Sequence, residues 1–179
     1  VSTSNSQFSN EGTVHLEYET TIFKMLSSNI GFRLTLFDSG SKVNKRFEPR
    51  LSFALPLTPS MTVRASYTRM NQFQHLVASS YLDLPTNRWM PSTERAAPMS
   101  SNQYSMGLYL SDFHNVDVSL DGWWKDMDGV MLYDGINSFF PPVDNWETRF
   151  YSGRGKSYGI ELSSEYADDK IQAALYYTL

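Results

Sequence analysis

Apolar side chains fall on every second position through stretch after stretch of this chain. That spacing constrains the fold more than any composition figure does. Val14, Leu16, Tyr18, Thr20 and Ile22 share one face, and Thr13, His15, Glu17 and Glu19 share the other. Successive side chains leave opposite sides of a pleated strand, so a period of two means β structure with one greasy and one wet face. The pattern returns at Ile30 to Leu36, Phe47 to Leu55, Met61 to Tyr67 and Tyr104 to Leu110. It returns again at Val116 to Trp124, Tyr158 to Leu162 and Ile171 to Tyr177. Eight strands are predicted, and no stretch holds the helical period over a useful length.

The connections carry a second regularity. Those after the first, third, fifth and seventh predicted strands are short, such as Pro56-Leu57-Thr58-Pro59-Ser60. Those after the second, fourth and sixth run longer: Asp38 to Lys45, then loops over about 70–103 and 127–157. An antiparallel meander therefore collects short turns at one end and long loops at the other, as outer-membrane barrels do with periplasmic turns and extracellular loops. The expected fold is all-β: an antiparallel up-and-down transmembrane β-barrel, with residues 1–179 forming part of one barrel domain.

The wet face is highly charged. It carries Glu17, Glu19, Arg33, Arg50, Arg64, Asp117, Asp121, Lys125, Glu161 and Glu165, whereas the apolar stripes carry no charge. A stripe facing lipid must be so, since an Arg or Lys at mid-depth costs about 2–4 kcal/mol. Phe23, Phe37, Phe47, Tyr67, Tyr104, Trp124 and Tyr177 are expected near stripe ends, where aromatic girdles meet the membrane surface. The negative mean hydropathy does not argue against a barrel, because only half of each strand need be apolar. No run approaches the roughly 18 apolar residues of a membrane helix.

A net charge of −4 argues against nucleic acid as a partner. The absence of cysteine excludes disulfides and thiolate metal sites. Residues Val1 to Gly12 read as a polar loop, and the last residues as an unfinished strand, as in a piece of a longer protein.

Chemical motifs are few. Gly153-Arg154-Gly155-Lys156-Ser157-Tyr158-Gly159 imitates a phosphate loop, but its spacing is wrong and it precedes a strand rather than a helix. Asp126, Asp128, Gly129 and Asp134 lack the spacing and distal Glu of a calcium loop. His15, His75 and His114 sit on separate elements. No catalytic, cofactor or metal constellation is expected, and the chain does not read as an enzyme.

Three stretches carry a resemblance to a known family. They are Phe47-Glu48-Pro49-Arg50-Leu51-Ser52; Ala65 to Gln72 with His75-Leu76, Leu84-Pro85-Thr86, Trp89 and Pro91-Ser92; and Gly153 to Glu161. Together they resemble the barrel of Bacteroidetes TonB-dependent outer-membrane receptors. The resemblance implies about eight strands of a barrel of about 22, its lumen plugged by a separate domain. It implies outer-membrane localisation and import of a scarce nutrient: a siderophore, haem, a vitamin, an oligosaccharide or a peptide. The implied partners are the lipid bilayer, the TonB complex through a plug absent from this chain, and a surface lipoprotein.

Long loops that lack regular structure usually bind something, and aromatic residues with Arg make recognition surfaces. The ligand-binding candidates are Gln72, His75, Tyr81, Arg88 and Trp89 on the first long loop, with Trp146 and Arg149 on the second; Phe73, Arg95, Tyr133, Phe139 and Phe140 accompany them. Two other readings fit the alternation. A soluble β-sandwich for ligand binding would bury the stripes against a second layer. A complete eight-stranded adhesin or anchor barrel would pair its first and last strands.

Overall fold

The computed structural model describes residues 8–40, 42–77, 88–133 and 146–179. Its strands are β1 (Asn10–Ile22), β2 (Leu26–Asp38), β3 (Val43–Thr58), β4 (Met61–Gln72), β5 (Gln74–Val77), β6 (Arg88–Pro91), β7 (Met99–Phe113), β8 (Val116–Tyr133), β9 (Phe150–Ala167) and β10 (Gln172–Thr178). A short 3-10 turn, Trp146–Arg149, precedes β9. Eight strands form one antiparallel sheet in the order β1-β2-β3-β4-β7-β8-β9-β10, and β5 pairs with β6 in a separate hairpin.

Register turns the stripes into a surface. Tyr18, Ile30, Leu51, Tyr67, Tyr104, Trp124 and Tyr158 lie across from one another on successive strands. Nearer the short turns, Leu55, Val63, Leu108, Leu120, Leu162 and Tyr177 do the same. The opposite face aligns Glu17, Gly31, Arg50, Thr68, Gln103, Lys125 and Ser157. Among the described residues no second layer covers the apolar face: Met106 is 65% exposed, and Leu34, Leu108 and Leu120 are all exposed. The sandwich reading fails on this point.

The closed eight-stranded barrel fails as well. Among the described residues β1 pairs only with β2, and β10 only with β9. The sheet has two open edges, each a row of backbone groups without partners.

The apolar band does not follow the hydrogen-bonded rows. On β1, β2 and β3 it continues two rows beyond Tyr18, Ile30 and Leu51 toward the loops, through Leu16, Phe32 and Pro49 to Val14, Leu34 and Phe47. On β4, β7, β8 and β9 the very next outward positions are Arg69, Asn102, Asp126 and Lys156. On β10 the outward residues Ala173, Leu175, Tyr177 and Leu179 are all apolar. Strands inclined to the membrane plane produce this diagonal, because a level apolar slab crosses each tilted strand at a different residue.

Two hairpins reach positive φ in their turns without glycine. Phe23 and Lys24 have φ of 52° and 60°, and His114 and Asn115 have φ of 55° and 64°. Paired positive φ values define the turn whose twist matches the flanking strands, and Asn-Gly is its favoured sequence. Gly129 does have positive φ, 74°, at a bulge between Asp128 and Val130. A Cβ there would also sit 3.3 Å from the Pro98 carbonyl oxygen.

The strands outrun the sequence pattern at the loop end. Residues 127–133 and 150–157, expected to be loop, lie in β8 and β9, and the glycine run Gly153 to Gly159 is strand. Outward positions there become polar at Asp126, Asp128, Arg154 and Lys156, and a bulge between Asp128 and Val130 shifts the parity, so alternation is lost while the ladder continues. The expected loop over 70–103 shrinks to 73–98 and contains the β5–β6 hairpin. The connection after β2 is a tight turn, closed by Ser39 N–H donating to the Lys42 carbonyl at 3.2 Å. Residues 10–12 belong to β1 rather than to a leading loop.

Two expectations follow. Leu108→Arg in the intact receptor should cost about 2–4 kcal/mol in urea unfolding within lipid, whereas Ser119→Arg on the opposite face should cost far less; equal costs would contradict the assignment of faces. Residues 1–179 expressed alone in buffer should show no cooperative urea transition, because open edges favour aggregation; a sharp two-state melt would contradict it.

Candidate functional site

The site is built where β3 and β4 part. Their ladder ends at Arg50–Thr68, one residue short of Pro49, while the β2–β3 ladder continues through Pro49–Phe32 and beyond. Proline has no N–H to extend a ladder. Above it the Glu48 side chain supplies the missing acceptor. Fully buried, it accepts from Asn71 N–H at 2.7 Å and from Asn71 Nδ2 at 3.0 Å. The Arg33 guanidinium pairs with its other oxygen.

This bridge fixes the base of the loop that follows β4. Phe73 then stacks on Phe37, centroids 4.9 Å apart and planes 18° from parallel. Phe37 lies on the wet face of β2, not the apolar one, and is 1% exposed. It is therefore no girdle residue, contrary to expectation. Phe23 is not part of a stripe either; it is exposed in the β1–β2 turn. Apolar packing against the inner wall explains the burial of Phe37, Phe73 and Ala96 together.

The hairpin is held by polar contacts as well. Ser92 N–H donates to the Phe73 carbonyl at 2.7 Å, and Ala96 N–H donates to Thr93 Oγ1 at 3.2 Å. His75, 2% exposed, places Nε2 at 3.0 Å from Ser92 Oγ. Burial depresses the imidazole below its ordinary value of 6.5, against backbone hydrogen bonds at Ala96 and Ala97 that favour the charged form.

The sequence candidates separate accordingly. His75 is buried on the packed side of the hairpin. Gln72 is exposed but donates Nε2 to the Gln74 carbonyl at 2.8 Å. Trp89, 59% exposed, lies across from the exposed Leu76, so these two form the hairpin's open face. Arg88 lies on β6, and Trp146 and Arg149 bound the 3-10 turn; their side chains, with that of Tyr133, fall outside the described set. Tyr81, Asp134, Phe139 and Phe140 lie outside the described residues. Sequence reasoning missed Arg33, Phe37, Glu48 and Asn71. Only Phe37 left a trace, as a large apolar side chain on the wrong parity of its strand.

Below the hairpin the inner wall is a polar network. The Arg64 guanidinium lies 4.5 Å from the Tyr109 ring centre, and Tyr109 donates its hydroxyl to Asp121. Ser66 and Ser105 hydroxyls meet at 2.6 Å, and Asn29 Nδ2 donates to Glu17 at 2.9 Å and Glu19 at 3.1 Å. Gly107 makes room here, since a Cβ would fall 2.2 Å from Asp121 Oδ1. The wall itself carries an open concavity of about 660 Å³ bordered by Glu19, Asn29, Arg64 and Tyr109, all residues of the eight-stranded sheet. Among the described residues no three His, Asp or Glu side chains gather as a metal site.

A single tilted sheet, lipid-facing outside and wet inside, with a loop folded onto its inner wall, defines the wall of an outer-membrane barrel. The chain belongs to the TonB-dependent receptor family: the profile described as "TonB dependent receptor-like, beta-barrel" matches residues 1–179. These are outer-membrane transporters, not enzymes. Among solved structures the alcaligin outer membrane receptor FauA from Bordetella pertussis superposes with a TM-score of 0.58 at 16% identity. The match covers 95% of this chain and 30% of that one, and at such identity it speaks to fold alone. No curated protein matches.

Two measurements check the site. Glu48→Ala should speed tryptic cleavage of the loop at Arg88 or Arg95 about tenfold, since unpairing a buried bridge costs about 1–3 kcal/mol; unchanged cleavage would contradict the role given to Glu48. The undocked His75 takes up protons below pH 6.5 while the docked ring refuses them, so docking weakens as pH falls through 6.5 and the loss levels off once the docked ring titrates. Spin labels at positions 76 and 17 should show a broader distance distribution at pH 5 than at pH 7.5; identical distributions would contradict it.

Proposed function

We propose that this chain forms wall and loop of a TonB-dependent receptor that imports a scarce nutrient, with the open face of the β5–β6 hairpin meeting the ligand. The observation that carries this reading is the hairpin's two-sidedness. Phe73 stacks on Phe37 of the wall and His75 is buried against Ser92 of the same loop, while Trp89 and Leu76 are exposed on the other side. Preorganising an aromatic anchor on a rigid support lowers the entropy cost of binding. Residues 70–103 and 127–157 are the extracellular side in this reading. Trp146 and Arg149, on the second long connection, supply a further contact, and Tyr81 and Arg88 extend the first. A plug domain links the barrel to the TonB complex in this reading. A surface lipoprotein capping these loops is compatible with the same arrangement.

The ligand is a siderophore, haem, a vitamin, an oligosaccharide or a peptide, and aromatic faces serve all of these. Calorimetric titration of the intact receptor with one member of each class identifies it. Trp89→Ala should then weaken binding at least tenfold, about 1.4 kcal/mol, and deletion of TonB should abolish uptake. Unchanged affinity in both Trp89→Ala and Leu76→Ala would overturn the hairpin's role, and TonB-independent uptake would overturn the transport mechanism.

A further inference from the structure

Strands β8 and β9 change character where they leave the lipid band. Up to Asp128 the even-numbered residues of β8 face outward and the odd-numbered ones inward, with Lys125 across from Ser157 and Met127 across from Gly155. The bulge at Gly129 then absorbs one residue, and the ladder resumes with Val130 across from Gly153 and Leu132 across from Tyr151. Gly155, Gly153 and Tyr151 alternate onto the inward face of β9, so Val130 and Leu132 share that face. Without the extra residue they would follow Asp126 and Asp128 outward. Distances agree with this parity. A Cβ on Gly155 would fall 3.0 Å from Met127 Cε and 3.5 Å from Val130 Cγ2, so both side chains lie over that glycine.

The bulge therefore builds an inward apolar face from Met127, Val130, Leu132 and Tyr151, at a height where the outward residues are already polar. Leu132 is 67% exposed and Tyr151 62%. Grouped apolar side chains turned toward a wet interior, on strands rather than a loose loop, mark a binding surface. One step nearer the membrane on the same face of β8 stands Lys125, in a row that also holds Arg50. Among the described residues the ion pairs are Arg33 with Glu48 and Arg154 with Asp128, so neither Lys125 nor Arg50 is matched by an acid. The acid of that row, Glu17, lies at its far end on β1 and accepts from Asn29. Apolar groups above and an unmatched ammonium below complement a molecule that is greasy at one end and acidic at the other.

We propose that this face selects the nutrient's chemical class: an aromatic or aliphatic body carrying a carboxylate or similar acid, the body on Met127, Val130 and Leu132 and the acid at Lys125. The bulge at Gly129 is the positioning device. Neutral oligosaccharides are disfavoured, since they bring neither the apolar body nor the charge. The proposal rests on the reading of residues 127–157 as the extracellular, ligand-facing side.

Ligand-observed NMR titration of the intact receptor in amphipol tests it, with 2-naphthoate as the probe and with 2-naphthamide (ring without charge) and acetate (charge without ring) as comparators. The parent should bind 2-naphthoate about tenfold more tightly than either. Lys125→Gln should erase the advantage over the amide. Leu132→Asn and deletion of Gly129, which returns Val130 and Leu132 to the outward face, should each weaken 2-naphthoate about tenfold, with folding checked by heat-modifiable gel migration. Leu132→Asn keeps the backbone intact and decides the matter if the deletion does not fold. Arg154→Ala, on the outward face, should change nothing. Equal binding of acid and amide would overturn the proposal, as would full binding by Leu132→Asn or a loss in Arg154→Ala matching that in Lys125→Gln. These outcomes are independent of whether uptake needs TonB, so failure here leaves the transport reading standing and failure there leaves this one.

Discussion

Backbone N–H and C=O groups in hydrocarbon have no water to turn to, and every feature of this wall follows from how they are satisfied. Through the apolar band the ladder does so strand by strand. The β3–β4 ladder stops above Arg50 and Thr68, beside Pro49, which has no donor to offer. The Glu48 carboxylate fills in as acceptor for the Asn71 N–H. That substitution also aims the chain inward after β4, so the same residue that repairs the ladder starts the docking of the hairpin. Glu48, Pro49 and Arg50 act as a unit: acceptor, ladder stop and lumen cation.

The two faces answer to different solvents. Outside, the row Tyr67, Tyr104, Trp124 and Tyr158 stands directly beneath Arg69, Asn102, Asp126 and Lys156. Trp124 donates its indole N–H up to Asp126 at 2.8 Å while its ring stacks on Tyr158, centroids 5.1 Å apart. Each ring thus keeps its apolar body low and its polar tip in contact with the headgroup layer. Inside, Asp121 lies across from Glu161 and Asp117 across from Glu165. Like charges in direct opposition are unfavourable on a sheet. Here Tyr109 and Tyr176 donate hydroxyls to Asp121 and Glu165.

How much of this was legible in the sequence depends on whether a single strand carries the signal. The faces were legible, because alternation in Ile30 to Leu36 or Tyr104 to Leu110 is a local property. The strand ends above the membrane were not, because Asp126, Asp128, Arg154 and Lys156 are polar on a face that had been apolar, which erases the period while the hydrogen bonds persist. The hairpin's docking was illegible for a different reason. Phe37, Glu48 and Phe73 meet only through pairing across strands distant in sequence, and nothing in the neighbours of Glu48 announces a buried carboxylate. The burial of His75 against Ser92 was illegible for the same reason, since Ser92 lies across the hairpin from it.

The diagonal course of the apolar band has a bearing on how such a wall can vary between relatives. Deleting one residue within β8 would shift everything on one side of the gap by half a pleat period, turning Asp121 and Lys125 toward lipid tails and Leu120 and Trp124 toward the lumen. A two-residue deletion would keep the faces but set that strand's greasy segment at the wrong altitude beside its neighbours. Length change is therefore tolerated only at the rims, where whole loops can be exchanged like cartridges, and divergence in cargo can outpace divergence in the staves that hold it.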